Sequence, residues 1–179
     1  VTALLKPGRN AVGLWLGNGR YWPPRRRVPA PARGFGYPKA IAQIELEYAD
    51  GRREIVATDE TWKLTTEGPI RANNEYDGEV YDARMEMPGW ATPGFDDSKW
   101  EPVQVVEGPP GALRAQMSEP LRVMETLAPK SVRELRPGVF IYDLGQNMVG
   151  WVRLKVQGPA GTRVQMRLAE SLRPDGSLY

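Results

Sequence analysis

Four carboxylates crowd into the run NNEYDGEVYDAR: Glu75, Asp77, Glu79 and Asp82. On a strand, residues two apart share a face and lie roughly 6.5–7 Å from one another. Glu75, Asp77 and Glu79 would then fall within the ~5–10 Å that paired carboxylates need to hydrolyse a glycosidic bond. Any acidic surface strand passes that test, so spacing alone does not select catalysis. Asp and Asn oxygens with backbone carbonyls also suit calcium, and the same groups accept hydrogen bonds from sugar hydroxyls. The structural alternative is an ion-pair and hydrogen-bond set of Glu79, Asp82 and Arg84 that holds the loop.

The chain contains no histidine and no cysteine. That excludes a Ser-His-Asp triad, a histidine base, thiol catalysis and zinc held by His or Cys within it. Chemistry here must come from carboxylates, Lys, Arg, Tyr or Ser, and a metal should be a hard cation on oxygen. Net charge is +2 over 179 residues, which implies no general attraction to nucleic acid or membrane. No apolar run reaches the roughly eighteen residues of a membrane-spanning helix. No secretory leader is visible, and cytoplasm and secretion both remain open.

A second candidate is LGNGRYW, residues 16–22. Tyr21 and Trp22 could stack on the apolar face of a sugar, with Asn18 and Arg20 beside them. The competing reading is a plain turn in which Gly17-Asn18-Gly19 supplies positive φ. The following stretch, 21–40, carries Arg25, Arg26, Arg27, Arg33 and Lys39 without an acid. It reads as a proline-stiffened surface loop, one suited to an acidic surface elsewhere; no nucleic-acid motif accompanies it.

The elements that must position these groups are strands. Residues 10–16, 40–48, 53–58, 61–66, 79–87 and 101–106 are short apolar-alternating runs between turn signals. Asp50-Gly51 marks a hairpin, and Asp59 can close a turn with its own side chain. Trp90, Phe95 and Trp100 should plug the irregular stretch 88–100 onto the sheet. After the Pro/Gly cluster at 107–111 the pattern restarts, with strands expected over 121–127, 131–135, 138–144, 148–156 and 162–172. Between the third and fourth of these, YDLGQNMVGW reads as a strand to Leu144, a turn with Asn147 at positive φ, and a new strand from Met148. Asp143 and Gln146 are placed to satisfy loose backbone groups there. The fold class is therefore all-β.

Five motifs in order resemble the bacterial α-L-rhamnosidases of glycoside hydrolase family 78. They are LKPGRNAVGLWLGNGRYW, NEYDGEVYDARMEMPGW, FDDSKWEPV, YDLGQNMVGWVRLKVQGPAGTRV and LAESLRPDGSLY. The resemblance implies an antiparallel β-sandwich of jelly-roll, galactose-binding-like type followed by the start of a second sandwich. Residues 1–107 match the later part of the N-terminal sandwich, 108–118 a linker, and 119–179 the beginning of the second. Val1 and Tyr179 then look like mid-domain positions. The family's carboxylates sit in an (α/α)6 barrel that this chain does not reach, so the resemblance implies no catalytic residue here.

The expected function is accordingly a non-catalytic β portion of an inverting enzyme that removes terminal α-L-rhamnose from glycosides. The rest of the same polypeptide, with its catalytic barrel, and rhamnose-containing glycosides are the expected partners; nucleic acid and membrane are not. Whether the chain itself counts as an enzyme is left open. A stand-alone carbohydrate-binding module is the alternative. Some family members carry a sandwich that binds rhamnose with calcium. That extends the sugar candidates to Asn18, Arg20, Tyr21, Trp22, Asn73 and Asn74, and the calcium candidates to Asp77 and Asp82. No cofactor is required; calcium is allowed. The family commonly has a Trp where Arg20 stands, which shifts any stacking role to Tyr21 or Trp22.

Overall fold

The computed structural model describes residues 2–23 and 35–179. Two units arise, Val1–Gly111 and Ala112–Tyr179. Every sheet among the described residues is a two-stranded antiparallel pair, and the only helical pieces among those residues are 3-10 turns at Thr2–Leu4 and Ala83–Met85.

In the first unit β1 (Gln43–Glu47) pairs with β2 (Arg53–Ala57). Opposed residues of an antiparallel pair share a face. One face thus gathers Ile44, Leu46 and Val56 with Glu54, and the other Gln43, Glu45, Glu47 and Arg53 with Ile55 and Ala57. Asp50-Gly51 makes the turn as expected: Gly51 takes φ 82° and Asp50 Oδ1 accepts from the Arg52 N–H at 3.0 Å. Asp59 likewise accepts from both the backbone N–H and the hydroxyl of Thr61.

The pair β3 (Lys63–Leu64) and β6 (Glu101–Pro102) brackets the irregular stretch. Its aromatics pack on one another: Trp90 lies 6.5 Å from Trp100, Phe95 lies 5.7 Å from Trp100, and Trp15 meets Trp90 edge-on at 6.0 Å. Gly13 passes so close under the Trp90 ring that a side chain there would overlap it.

Between them, β4 (Ile70–Asn74) and β5 (Gly78–Tyr81) form a hairpin with a register shift between Ile70 and Ala72. The expected strand over 79–87 stops at Tyr81. Asp82 then caps the 3-10 turn by accepting from the Arg84 N–H, because a capping carboxylate stabilises a turn better than it does a ladder.

The second unit holds β7 (Ser131–Arg136) against β8 (Val139–Asp143). Asp143 accepts from the Gly145 N–H at 2.7 Å, as expected. Positive φ falls on Gly145, at 76°, and not on Asn147; no described residue other than glycine adopts it.

Several expected strands have no ladder among the described residues: 10–16, 103–106, 121–127 and 148–156. Of 162–172 only Leu172 bridges, to Leu178. The alternation is present in each, but a strand needs a neighbour to take its N–H and C=O groups. Burial tells the same story. Only Pro23 and Pro69 are buried among the described residues, and no other apolar side chain is.

Candidate functional site

The hairpin turn between β4 and β5 is built by Asn74. Its Oδ1 accepts from the N–H groups of Tyr76 and Asp77 at 2.8 and 2.7 Å, and its Nδ2 donates to Asp77 at 3.2 Å. Gly78 at φ 79° closes the turn. Glu75 and Asp77 therefore lie in a turn and not on a strand, which corrects the shared-face expectation for Glu75, Asp77 and Glu79.

Onto this hairpin folds the segment 17–22. The Asn18 N–H donates to Asn73 Oδ1 at 3.1 Å, and its side-chain amide donates to the Asn73 carbonyl at 2.8 Å. Both bonds are half-buried, and each is worth about 1 kcal/mol. Gly17 eases the approach: a Cβ there would stand 3.1 Å from Asn73 Nδ2, and the amide would have to give by a few tenths of an ångström. Gly19 turns the chain at φ 50°, as expected of one of the two glycines; Gly17 does not take positive φ. Arg20 Nη1 then reaches Glu75 Oε1 at 3.2 Å and the Tyr76 hydroxyl at 3.4 Å. Next, Tyr21 and Trp22 meet Phe35 and Tyr37, with ring centroids 6.0 and 4.8 Å apart. The Phe35 N–H donates to the Tyr21 carbonyl at 2.8 Å, and Lys39 Nζ lies 5.9 Å from the Tyr21 ring centre.

The structure thus joins two candidates that the sequence held 55 residues apart. Asn18, Arg20, Tyr21, Trp22, Asn73 and Asn74 occupy one locale in the first unit. Glu75 and Lys39, which the sequence set in the acidic run and the basic stretch, belong to it as well; Tyr76, Phe35 and Tyr37 belong to it and were missed. Their signal was the pairing of aromatics at 21–22 with aromatics at 35 and 37, flanking one Pro/Arg-rich stretch. Residues 24–34 of that stretch, with Arg25, Arg26, Arg27 and Arg33, lie outside the described residues.

The calcium pair is split, and only Asp77 falls in this locale. Asp77 is at the turn, whereas Asp82 is at the other end of β5, its N–H bonded to the Pro69 carbonyl. About 15 Å of strand separates them, so they cannot ligate one ion at ~2.3–2.6 Å. Asp82 is also engaged by Arg84, whose Nε and Nη2 donate to its two oxygens at 2.8 and 2.6 Å. Those bonds hold its carboxyl at a pKa of about 2. Among the described residues no three acidic side chains converge on a point that could hold a metal. The Asp82–Arg84 half of the expected structural set is therefore what forms. One further cleft, about 320 Å³, is lined by Thr65, Glu67, Met87, Phe95, Asp96, Lys99 and Trp100.

No helix among the described residues is long and apolar enough to cross a membrane. Two family models match: the α-L-rhamnosidase N-terminal domain over residues 1–125, and the bacterial α-L-rhamnosidase concanavalin-like domain over 133–179. The chain is 42% identical over its whole length to an α-L-rhamnosidase of Streptomyces avermitilis, of which it covers 17%. Over its whole length it is also 38% identical to one from Formosa agariphila and 37% identical to one from an Alteromonas species, covering 19% of each. Among solved structures it resembles the Streptomyces avermitilis α-L-rhamnosidase complexed with L-rhamnose. The TM-score is 0.74 at 47% identity, over 78% of this chain and 14% of that one. The Dictyoglomus thermophilum α-L-rhamnosidase gives 0.64 at 42% identity, over 74% and 14%. The chain spans less than a fifth of the length of the relatives it matches. With this strand content and these neighbours the fold is an all-β sandwich class, and the chain belongs to the α-L-rhamnosidase family, as a non-catalytic N-terminal β portion.

Proposed function

We propose that this chain serves an enzyme that hydrolyses terminal α-L-rhamnose from glycosides, and that it holds sugar where residues 17–22 cross the β4–β5 hairpin. The observation that carries the sugar reading is the Asn18–Asn73 pair. It ties a turn to a hairpin and sets amide groups, a guanidinium and half-buried aromatic rings side by side. Amides supply both donors and acceptors to hydroxyls, and Tyr21 or Trp22 supplies an apolar face for the ring. Catalysis is assigned to the barrel of the same polypeptide and to no residue here.

Calorimetric titration of the full-length polypeptide with L-rhamnose, with and without calcium, tests this reading. Millimolar binding that Asn18→Ala weakens about tenfold is expected, and it should not need calcium, given the distance between Asp77 and Asp82. Absence of heat at millimolar sugar, or binding indifferent to Asn18→Ala, removes the sugar site. A calcium requirement would restore a metal role for Asp77 with groups other than Asp82.

A further inference from the structure

The segment from Arg20 to Lys39 contains no acid, and its described ends bring cations and exposed rings to the proposed sugar site. Phe35 is 80% exposed and Tyr37 74%. Arg20 has its side chain 79% exposed, and Lys39 stands over Tyr21. Each exposed ring packs on a half-buried one, at centroid distances of 6.0 and 4.8 Å, making paired aromatic platforms rather than scattered surface residues. Sugar rings stack on such platforms, and a guanidinium forks onto a carboxylate.

The one acid in contact with Arg20 is Glu75, at 3.2 Å through Nη1 alone, with Tyr76 on the same nitrogen. A pair this exposed contributes little. A ligand carboxylate can therefore take the other edge of the guanidinium while Glu75 stays on Nη1.

We propose that this locale is a subsite for a carboxylated saccharide: a uronic acid unit adjoining the sugar held at Asn18 and Asn73, with Arg20 on its carboxylate, Lys39 adding charge, and Phe35 or Tyr37 under its ring. The inference rests on the sugar-site reading above. It commits to an acidic glycan; nucleic acid, which also joins cations and aromatics, is an outcome of the test.

The test uses the full-length polypeptide and two sulfur-linked disaccharides that resist hydrolysis, rhamnosyl-glucuronic acid and rhamnosyl-glucose. Calorimetry should give about tenfold tighter binding of the glucuronic acid compound at low salt, with the preference shrinking at high ionic strength. Arg20→Ala should bring the two affinities within about twofold, and Arg20→Lys, which keeps charge but loses the fork, should leave an intermediate ratio. Equal affinities in the unaltered protein overturn the uronate proposal; if both ligands then still depend on Asn18, the sugar site survives it. If neither binds, both readings fall. If a ten-residue oligouridylate binds more tightly than the glucuronic acid compound and Arg20→Ala abolishes that binding, the surface is a nucleic-acid site and the proposal is wrong.

Discussion

Residues 63–102 and residues 148–172 make an instructive pair. Both alternate apolar with polar residues, and both are punctuated by Pro and Gly. In the first, the chain supplies its own partners: β4 finds β5, β3 finds β6, and Trp90, Phe95 and Trp100 stack on one another. In the second, Val149 and Trp151 stand 101% and 69% exposed, and the segment forms no ladder before Leu172. The difference is not hydrophobicity. It is whether the neighbouring strand lies within the same stretch of chain, since an extended segment has no stability without a ladder.

That contrast can be broken by substitution. Trp90→Ala should destabilise the first unit by about 2 kcal/mol, because it removes the centre of an aromatic stack and leaves a gap over Gly13. Trp151→Ala should change the isolated chain by less than about 0.5 kcal/mol. Urea titration followed by far-ultraviolet circular dichroism compares them. The comparison sharpens in the full-length polypeptide, where the Trp151 cost should rise if another segment covers that face. Equal costs in the isolated chain would end the distinction.

A smaller effect separates local polar order from ladder order. Asp82 is held at a pKa of about 2 by hydrogen bonds from the Arg84 side chain and backbone, against an ordinary 3.8. A lowered pKa means the folded form favours the carboxylate. The contribution is full above the ordinary value and lost as pH falls through about 2. Carbon-detected titration should find Asp82 titrating well below the ordinary Asp range, and Asp82→Asn should remove the acid sensitivity of the 82–86 amides between pH 4 and 2. Titration of Asp82 near pH 4 would show that the Arg84 pair does not persist in solution.

The same distinction explains what the sequence revealed. Asp50-Gly51, Asp59-Thr61 and Asp143-Gly145 were legible because each interaction spans two residues. Strand β4 went unseen because IRANN offers only Ile70 and the small Ala72 as apolar residues, and only its pairing with β5 makes it a strand. Positive φ was misplaced onto Asn147 because Gly145, two residues earlier, takes the turn without a Cβ penalty. At the site, each half was readable from its amides and aromatics. Their union was not, since nothing local in LGNGRYW specifies Asn73. Asp77 and Asp82 were grouped as near neighbours in sequence, yet a strand carries them apart.

The central claim is that segments 17–22 and 73–77 form one sugar site. Hydrogen exchange on the full-length polypeptide, with and without saturating L-rhamnose, tests it most directly. The account predicts slower exchange in peptides covering 17–22 and 73–77 together, with 148–172 unchanged. Protection confined to regions beyond this chain, or to only one of the two segments, would contradict it.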